Sequence, residues 1–341
     1  MSIDTTDIVE FFAEALHPSS PGDPTWGDRL SQALDSLRGK KLLLAASTGG
    51  HLSQLHRLAE LMEPADDSLW VTFDKPQSRS MLADQRHRFI PYIAPRDARR
   101  VLGGAKTFRE ILAEEEFDAV VSTGAAIALS SHLVAQHRGL RTIYIESVSR
   151  FDGPSLTGRI LQRVPRIERY CQHPGYDARK WKQEFSVLDA YASDPTWKPT
   201  QPPRSIFVTL GTIHPYRFDR LVDRLVSVAP PETRFTWQLG STARTDLPGD
   251  VHIEMSSTAF EAAATESDLV ITHAGVGTIM GLLDMRRPTL VVPRRRGYRE
   301  HVDDHQLQIT REVSQRGLAV AAEVDQIGTG TLTAALAKKV L

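Results

Sequence analysis

At 341 residues the chain is about twice the ~150 that one hydrophobic core usually organises, so two domains are expected. Its 41 Lys and Arg balance 42 Asp and Glu for a net charge of -1, which excludes a global field for nucleic acid, and 41% hydrophobic residues exclude a disordered chain. The lone Cys171 excludes an internal disulfide and any multi-cysteine metal site and fits a reducing, cytoplasmic setting.

The opening MSIDTTDIVEFF places acids where a secretory signal carries bases, so no signal peptide is expected. Residues 1–39 read as an N-terminal helical extension. Ile8, Phe11, Phe12, Ala15 and Leu16 repeat at helical spacing, Pro18, Pro21 and Pro24 interrupt, and Trp26, Leu30, Leu34 and Leu37 resume. Packing on the main body, a homodimer contact and docking on a membrane surface are the roles open to it. At Lys40 the pattern changes: KKLLLAAS reads as a strand buried on both faces, with a helix following over 52–62. Strands SLWVTF (68–73), RFIPYI (88–93), DAVVST (118–123) and RTIYIES (141–147) alternate with helices over 105–116 and 126–137, the signature of a parallel α/β sheet over 40–192. The longest uncharged stretch, 120–133, is too short to cross a membrane.

Pro195, Pro199, Pro202 and Pro203 mark 193–204 as a linker. A second Rossmann-like half then occupies 205–341, with strands SIFVTLG (205–211), RFTWQLG (234–240), VHIEM (251–255), DLVITHAG (268–275) and PTLVVPR (288–294) and a helix over 218–228. No long helix returning to the first half is expected after Gly330.

Four glycine-containing loops follow strands: STGGHLSQL, STGAAIA, TLGTIHP and THAGVGTI. In an open α/β sheet ligands bind at the carboxyl ends of strands, where helix N-termini offer free N–H groups to anions. None has dinucleotide or P-loop spacing, which argues against NAD and ATP. His51 stands at a predicted helix start, whose field favours the neutral imidazole a general base needs; a turn-capping histidine is the competing reading. Glu146 ends a buried strand at the same sheet edge and is a second acid/base or an orienting group, or else an ordinary surface residue. Arg294, Arg295, Arg296 and Arg299 form a cationic loop suited to an anionic ligand or to solvent. Asp303, Asp304 and His305 are consecutive and point to different sides of a helix, which argues against a metal.

Taken in order, these motifs resemble the GT-B glycosyltransferases of family 28. STGGHLSQL and IYIESVSRFDGPSLTGRIL are similar to the PssD-type acceptor-side subunit of dolichol-pathway N-acetylglucosaminyltransferase-like pairs. FVTLGTIHPYRFDRLVDRL, THAGVGTIMGLL and VVPRRRGYREHVDDHQLQI are similar to its PssE-type partner, here fused in one chain over about 40–322. The motifs bear a more distant resemblance to MurG-type transferases. The resemblance implies two Rossmann-like domains facing a cleft, and inverting transfer from a UDP-sugar to a lipid-linked, polyprenyl diphosphate acceptor in surface polysaccharide or glycolipid assembly. It implies acceptor contacts from Ser47, Thr48, Gly49, Gly50, Thr123, Gly124 and Ser147, with His51 or Glu146 as base. On the donor side it implies Gly211 and Thr212 at the diphosphate, Ser257 near uracil, and His273, Gly275, Gly277 and Thr278 as a phosphate and ribose wall. Arg294, Asp304 and Gln306 join that side, Gln306 at the sugar. The ribose-binding glutamate of relatives falls on Gly281, with Asp284 one turn on as its substitute. No D-x-D tripeptide occurs, so no metal or further cofactor is expected and protein dipoles would hold the leaving charge.

The basic clusters Arg96, Arg99, Arg100 and Arg159, Arg163, Arg166, Arg169, the second interleaved with Ile160, Leu161, Val164 and Ile167, read as helical faces that rest on the anionic inner leaflet of the plasma membrane. A soluble small-molecule acceptor, a UDP-sugar 2-epimerase of the same architecture and a non-catalytic nucleotide-sugar-binding protein are the alternatives.

Overall fold

The computed structural model describes residues 34–94, 97–194, 201–212, 214–302, 304 and 306–340. The first half builds strands β1 (Leu42–Ala46), β2 (Leu69–Phe73), β3 (His87–Ile90), β4 (Ala119–Gly124), β5 (Arg141–Ile145) and β6 (Ile167–Tyr170). After the two-residue β7 (Ser193–Asp194), the second half builds β8 (Ser205–Thr209), β9 (Arg234–Gln238), β10 (Asp250–His252), β11 (Leu269–His273), β12 (Thr289–Val292) and β13 (Val320–Ala321). The sheet orders are β3-β2-β1-β4-β5-β6 and β10-β9-β8-β11-β12-β13, parallel throughout, so the halves repeat one topology. In each, the strand order reverses between a central first strand and its neighbour, at β1/β4 and at β8/β11. Such a switch point opens a crevice at the carboxyl ends of the strands. All four glycine loops of the sequence lie there, two per sheet.

The central strands are apolar because helices cover both faces: every residue of β1 and of β2 is buried. The sixth strand of each sheet was not expected. β6 is read from the sequence as the continuation of a basic helix, but the helix Leu156–Leu161 stops short of Pro165, whose ring disfavours helical backbone before it, and Ile167 to Tyr170 then pair with β5. Arg159 therefore sits on a helix, Arg163 and Arg166 in a turn and Arg169 on a strand, not on one helical face.

Within the expected extension, residues 1–33 lie outside the described part; Leu34, which precedes the Asp35–Leu37 turn, and Leu37, which ends it, are buried in the main core. Of the expected linker, 195–200 lie outside it, as do Arg96, Asp303 and His305. Ser193 and Asp194 pair antiparallel with β14 (Lys339–Val340), so the last residues return to the first half as a short strand after the helix Thr329–Leu336.

The two halves share a continuous apolar seam: Leu52, Leu55, Leu58 and Met62 of the helix Gly50–Met62 join one buried cluster with Ile279, Met280 and Leu283 of the helix Val276–Asp284. Near their starts a Cβ added at Gly50 would stand 3.1 Å from Val276 Cβ and 3.2 Å from Gly277 N. Two turns on, Arg57 Nη1 donates to Asp284 Oδ1 at 2.7 Å. The helices therefore run side by side in the same direction, and both N-termini open onto the crevice between the sheets.

Candidate active site

His51 is the second residue of its helix. Its Nδ1 lies 2.6 Å from Thr123 O, and Thr123 Oγ1 returns a bond to His51 O at 2.7 Å, so the loops after β1 and β4 lock together. A carbonyl only accepts, so Nδ1 carries the proton and the lone pair of the neutral ring resides on Nε2. Gly124, at φ +104, brings its backbone against the ring; a Cβ there would stand 3.1 Å from His51 Cε1. Ser47 N donates to Gly124 O at 3.0 Å and Gly49 N to Gln77 Oε1 at 2.7 Å, while Thr48 stays partly exposed at the loop tip. The first-half residues singled out in the sequence are thus brought together.

Glu146 is brought close but in a different capacity. Its carboxylate is 0% exposed and accepts four bonds, from Tyr144 Oη (3.1 Å), Ser147 N (3.0 Å), Ser155 N (2.9 Å) and Ser155 Oγ (3.0 Å). Desolvation raises its pKa, and the four donors oppose that rise. With both oxygens occupied it pins the two ends of the 147–154 loop together, which corrects its reading as an alternative base and keeps the orienting one. Ser147 stands inside that loop, its hydroxyl bonded to Ser149 Oγ at 3.0 Å and receiving Gln54 Nε2 at 3.3 Å.

In the second half Gly211, His273, Gly275 and Arg294 converge. A Cβ at Gly211 would come within 2.9 Å of Arg294 Nη1 and 3.0 Å of His273 Nε2, so glycine is what lets the chain pass. Arg294 is 1% exposed, donates through Nη2 to Gly211 O at 3.2 Å, and its Nε has no hydrogen-bond partner. Among the described residues no carboxylate forms an ion pair with it; Glu300 pairs with Arg220 instead. Desolvation pushes Arg294 down to about 10, with Glu300 opposing. The same burial, followed by the Arg294 charge, pushes His273 down to about 3, so the ring is neutral at ordinary pH. Gln306 Oε1 accepts from Arg294 N at 3.0 Å and holds that turn. Among the described residues Arg294 is thus a buried cation beside a helix N-terminus with no carboxylate paired to it, an arrangement chemically suited to an anionic ligand.

Several donor-side expectations change. The cationic loop divides: Arg294 turns in, Arg295 pairs with Glu323 (2.6 Å) and Asp304 (3.3 Å), and Arg296 and Arg299 are exposed. Asp304 is exposed and also accepts from Arg296 N at 3.0 Å, so it folds the arginine loop rather than facing the donor crevice. Asp284 does not substitute for a ribose carboxylate, because Arg57 and Tyr191 Oη, both of the first half, each approach its Oδ1 at 2.7 Å. Thr212 and Ser257 are exposed, and the cap of the Ser257–Glu266 helix is Ser256, whose Oγ accepts from Ala259 N. Gly277 and Thr278 form the first turn of the helix Val276–Asp284, with Gly277 against Gly50.

Sequence reasoning missed Gln54, Gln172, Arg57 and Gln308. Gln54 is fully buried and ties Gly50 O, Ser147 Oγ, Val148 N and Gln172 Nε2 together. Its signal was present: an amide inside the apolar stripe of Leu52, Leu55 and Leu58 must find partners.

Residues 205–339 match the glycosyltransferase family 28 C-terminal domain. That match spans nearly all of the second half of the chain. A curated relative, the UDP-N-acetylglucosamine--N-acetylmuramyl-(pentapeptide) pyrophosphoryl-undecaprenol N-acetylglucosamine transferase of Chlorobium luteolum, is 26% identical over 239 residues, 62% of this chain and 61% of that protein, less than two thirds of its length. MurG of Acinetobacter baumannii superposes with a TM-score of 0.54 at 19% identity, covering 86% of this chain and 89% of that one. MnaA of S. aureus with UDP superposes with a TM-score of 0.55 at 10% identity, covering 87% and 91%. At these identities the likeness is one of fold: the family 28 domain is the second half of a two-sheet GT-B architecture.

Proposed function

We propose that the chain transfers a sugar from a UDP-sugar to a lipid-linked diphosphate acceptor, with inversion and without a metal, in surface polysaccharide or glycolipid assembly. One observation carries this reading. The family 28 domain presents a buried Arg294, with no carboxylate paired to it among the described residues, and a neutral His273 beside a helix N-terminus, and the other sheet presents His51, its tautomer fixed, across the same crevice. The name of the Chlorobium relative, which carries both a UDP-sugar and a pyrophosphoryl-undecaprenol substrate, supports the same donor and acceptor classes.

In this reading the UDP diphosphate occupies the crevice of Gly211, Gly275 and Gly277, its charge met by Arg294 and by the N–H groups of the helix Val276–Asp284. The acceptor hydroxyl oxygen attacks the anomeric carbon from the side of His51. The bond from that carbon to the β-phosphate oxygen breaks with its electron pair leaving on UDP, and the hydroxyl proton passes to His51 Nε2. Glu146 acts through the loop it closes. Inverted product configuration and turnover undiminished by EDTA are the expected results; retention, or a requirement for a divalent ion, overturns those two parts. A thermal-shift series with UDP, UDP-glucose, UDP-glucuronate and UDP-N-acetylglucosamine tests the donor, and no stabilisation by any uridine nucleotide refutes it.

A lipid acceptor requires a membrane-facing side, at the cytoplasmic surface of the bilayer. No helix among the described residues is long and apolar enough to cross a membrane. The edge strand β6 and the helix Leu156–Leu161 support a peripheral contact. Leu156 is 48% and Ile160 36% exposed on one helical face. Along β6 a cavity of about 340 Å³ is lined by Arg166, Arg169, Arg179, Lys180 and Lys182, with Glu168 as the acidic residue among them. Basic residues near an anionic bilayer contribute ~1 kcal/mol each. Flotation with anionic liposomes that is lost on changing Arg163 and Arg166 to Glu is expected, and unchanged flotation refutes this face.

A further inference from the structure

The loop 147–154 is held by two different parts of the molecule. Its ends meet on Glu146. Its near half belongs to the first half of the chain: Val148 N donates to Gln54 Oε1 at 2.9 Å, His173 Nε2 donates to Val148 O, and Tyr176 Oη donates to Arg150 O at 2.6 Å. Its far half is gripped from the family 28 domain. Phe151 N donates to Gln308 Oε1 at 3.1 Å, and Gln308 Nε2 donates to Asp152 Oδ2. One carboxamide therefore accepts from the loop backbone and donates to the loop side chain, and from the first half the stacking of Phe151 on His173, ring centroids 3.4 Å apart, holds the same stretch.

Gln308 lies in the first turn of the helix Gln306–Gln315, two residues after Gln306, whose carboxamide accepts from Arg294 N. The same helical turn thus reaches the crevice of Arg294 at one end and the 147–154 loop at the other. We propose that Gln308 is a positioning residue for the acceptor: its carboxamide shapes the far half of the 147–154 loop from across the seam, so the acceptor side is complete only while the family 28 domain is docked against it. This rests on the glycosyl-transfer reading for the identity of the acceptor, but the clamp is testable without it.

The consequence is an asymmetry between substrates. Removing the clamp leaves Arg294, His273 and the helix N-terminus in place, so UDP binding stands, while a loop with a free far half presents the acceptor in many orientations. The conservative variant Gln308→Glu keeps the oxygen that receives Phe151 N, loses the N–H donor and places a second carboxylate beside Asp152. The pair Gln308→Glu with Asp152→Asn restores a donor and acceptor to the contact with the roles exchanged.

The experiment is hydrogen exchange on the full chain, read on peptides covering 148–154 and 273–278, with and without UDP. In Gln308→Ala, exchange in 148–154 accelerates about fivefold, as expected for loss of one net hydrogen bond at a loop amide, and UDP protects 273–278 as in the parent. Gln308→Glu accelerates 148–154 similarly, and adding Asp152→Asn slows it again. In turnover, Gln308→Ala raises the acceptor KM with the donor KM unchanged, and the double variant recovers it. Unchanged 148–154 exchange in Gln308→Ala, or failure of the double variant to recover, overturns the clamp. Absence of UDP protection at 273–278 in the parent refutes the donor reading instead and leaves the exchange comparison between parent and variants to decide the clamp.

Discussion

Replacing Arg294 with Met separates stability from ligand binding, because the native arginine is a buried cation whose solvation is not replaced. The guanidinium lies at about 10 against an ordinary 12.5, which corresponds to roughly 3 kcal/mol by which the folded state disfavours the charge. Below that value the group is protonated in both folded and unfolded chains, so the cost is fully present at neutral pH. Against it stand one bond to Gly211 O at 3.2 Å, about 1 kcal/mol, and a cation–π contact with the Phe218 ring 5.6 Å away, about 0.5 kcal/mol, and that oxygen retains Ser241 N as a donor. Methionine keeps most of the volume and strands no carboxylate. The net expectation is a ligand-free protein more stable by about 1–2 kcal/mol, melting a few degrees higher. UDP should bind it about 10- to 100-fold more weakly, as for loss of a charge-assisted bond. Differential scanning calorimetry and a UDP titration read the two effects. A variant that melts below the parent, or that binds UDP equally well, would falsify the argument that Arg294 is held for an anion.

Three further outcomes are expected. His51→Ala binds UDP as the parent does but turns over at least ~10²-fold more slowly, because Nε2 is gone while the donor crevice is intact; parent-like turnover removes His51 from proton transfer. Asp284→Ala breaks the contacts of Arg57 and Tyr191 across the seam; the pair is partly exposed, so stability falls by less than ~1 kcal/mol, but small-angle scattering should show a larger radius of gyration, and an unchanged radius assigns closure to the apolar seam alone. His132 donates to Ile143 O at 3.0 Å from a fully buried site and is pushed by desolvation to about 4 from 6.5. The unfolded chain binds that proton first, so stability is fully present above 6.5 and falls as pH drops toward 4; His132→Gln should flatten the dependence by about one proton's worth of slope, and an unaltered slope places it elsewhere.

What the sequence made legible followed the physics of each element. Strands buried on both faces announce themselves as apolar runs, and β1, β4, β8 and β11 were each visible as such, together with the glycine turns that end them. The edge strands β6 and β13 carry no such signal: Ile167–Tyr170 reads IERY, and its two charged side chains mark an exposed edge as readily as a helix, while Val320–Ala321 is only two residues long. The loops were legible as places but not as partnerships. Nothing in the spacing of Arg294, Arg295 and Arg296 shows which guanidinium turns inward, because that depends on Glu323 and Asp304 drawing Arg295 away. Asp284 looked like a ligand carboxylate because its partner Arg57 lies 227 residues away in the chain.

The seam between the halves bears on how an anion in the proposed donor crevice would act on the two halves. The helices Gly50–Met62 and Val276–Asp284 run the same way, and the backbones of Gly50 and Gly277 approach so closely that a Cβ at Gly277 would stand 3.2 Å from Gly50 N. Two helix N-termini side by side set two partial charges of about +0.5 against each other, a repulsion of roughly 0.5–1 kcal/mol at an effective dielectric of 20. Apolar contact and the Arg57–Asp284 pair further along the helices oppose that repulsion without removing it. An anion lodged at the shared mouth reverses its sign, attracting both ends at once. Closure and anion binding are then linked, and each must favour the other by the same factor. Pyrophosphate, which carries the charge without the uridine, should therefore compact the protein in small-angle scattering, and raising ionic strength should weaken the effect. Compaction by UDP with none by pyrophosphate would assign closure to the nucleoside and refute the electrostatic coupling.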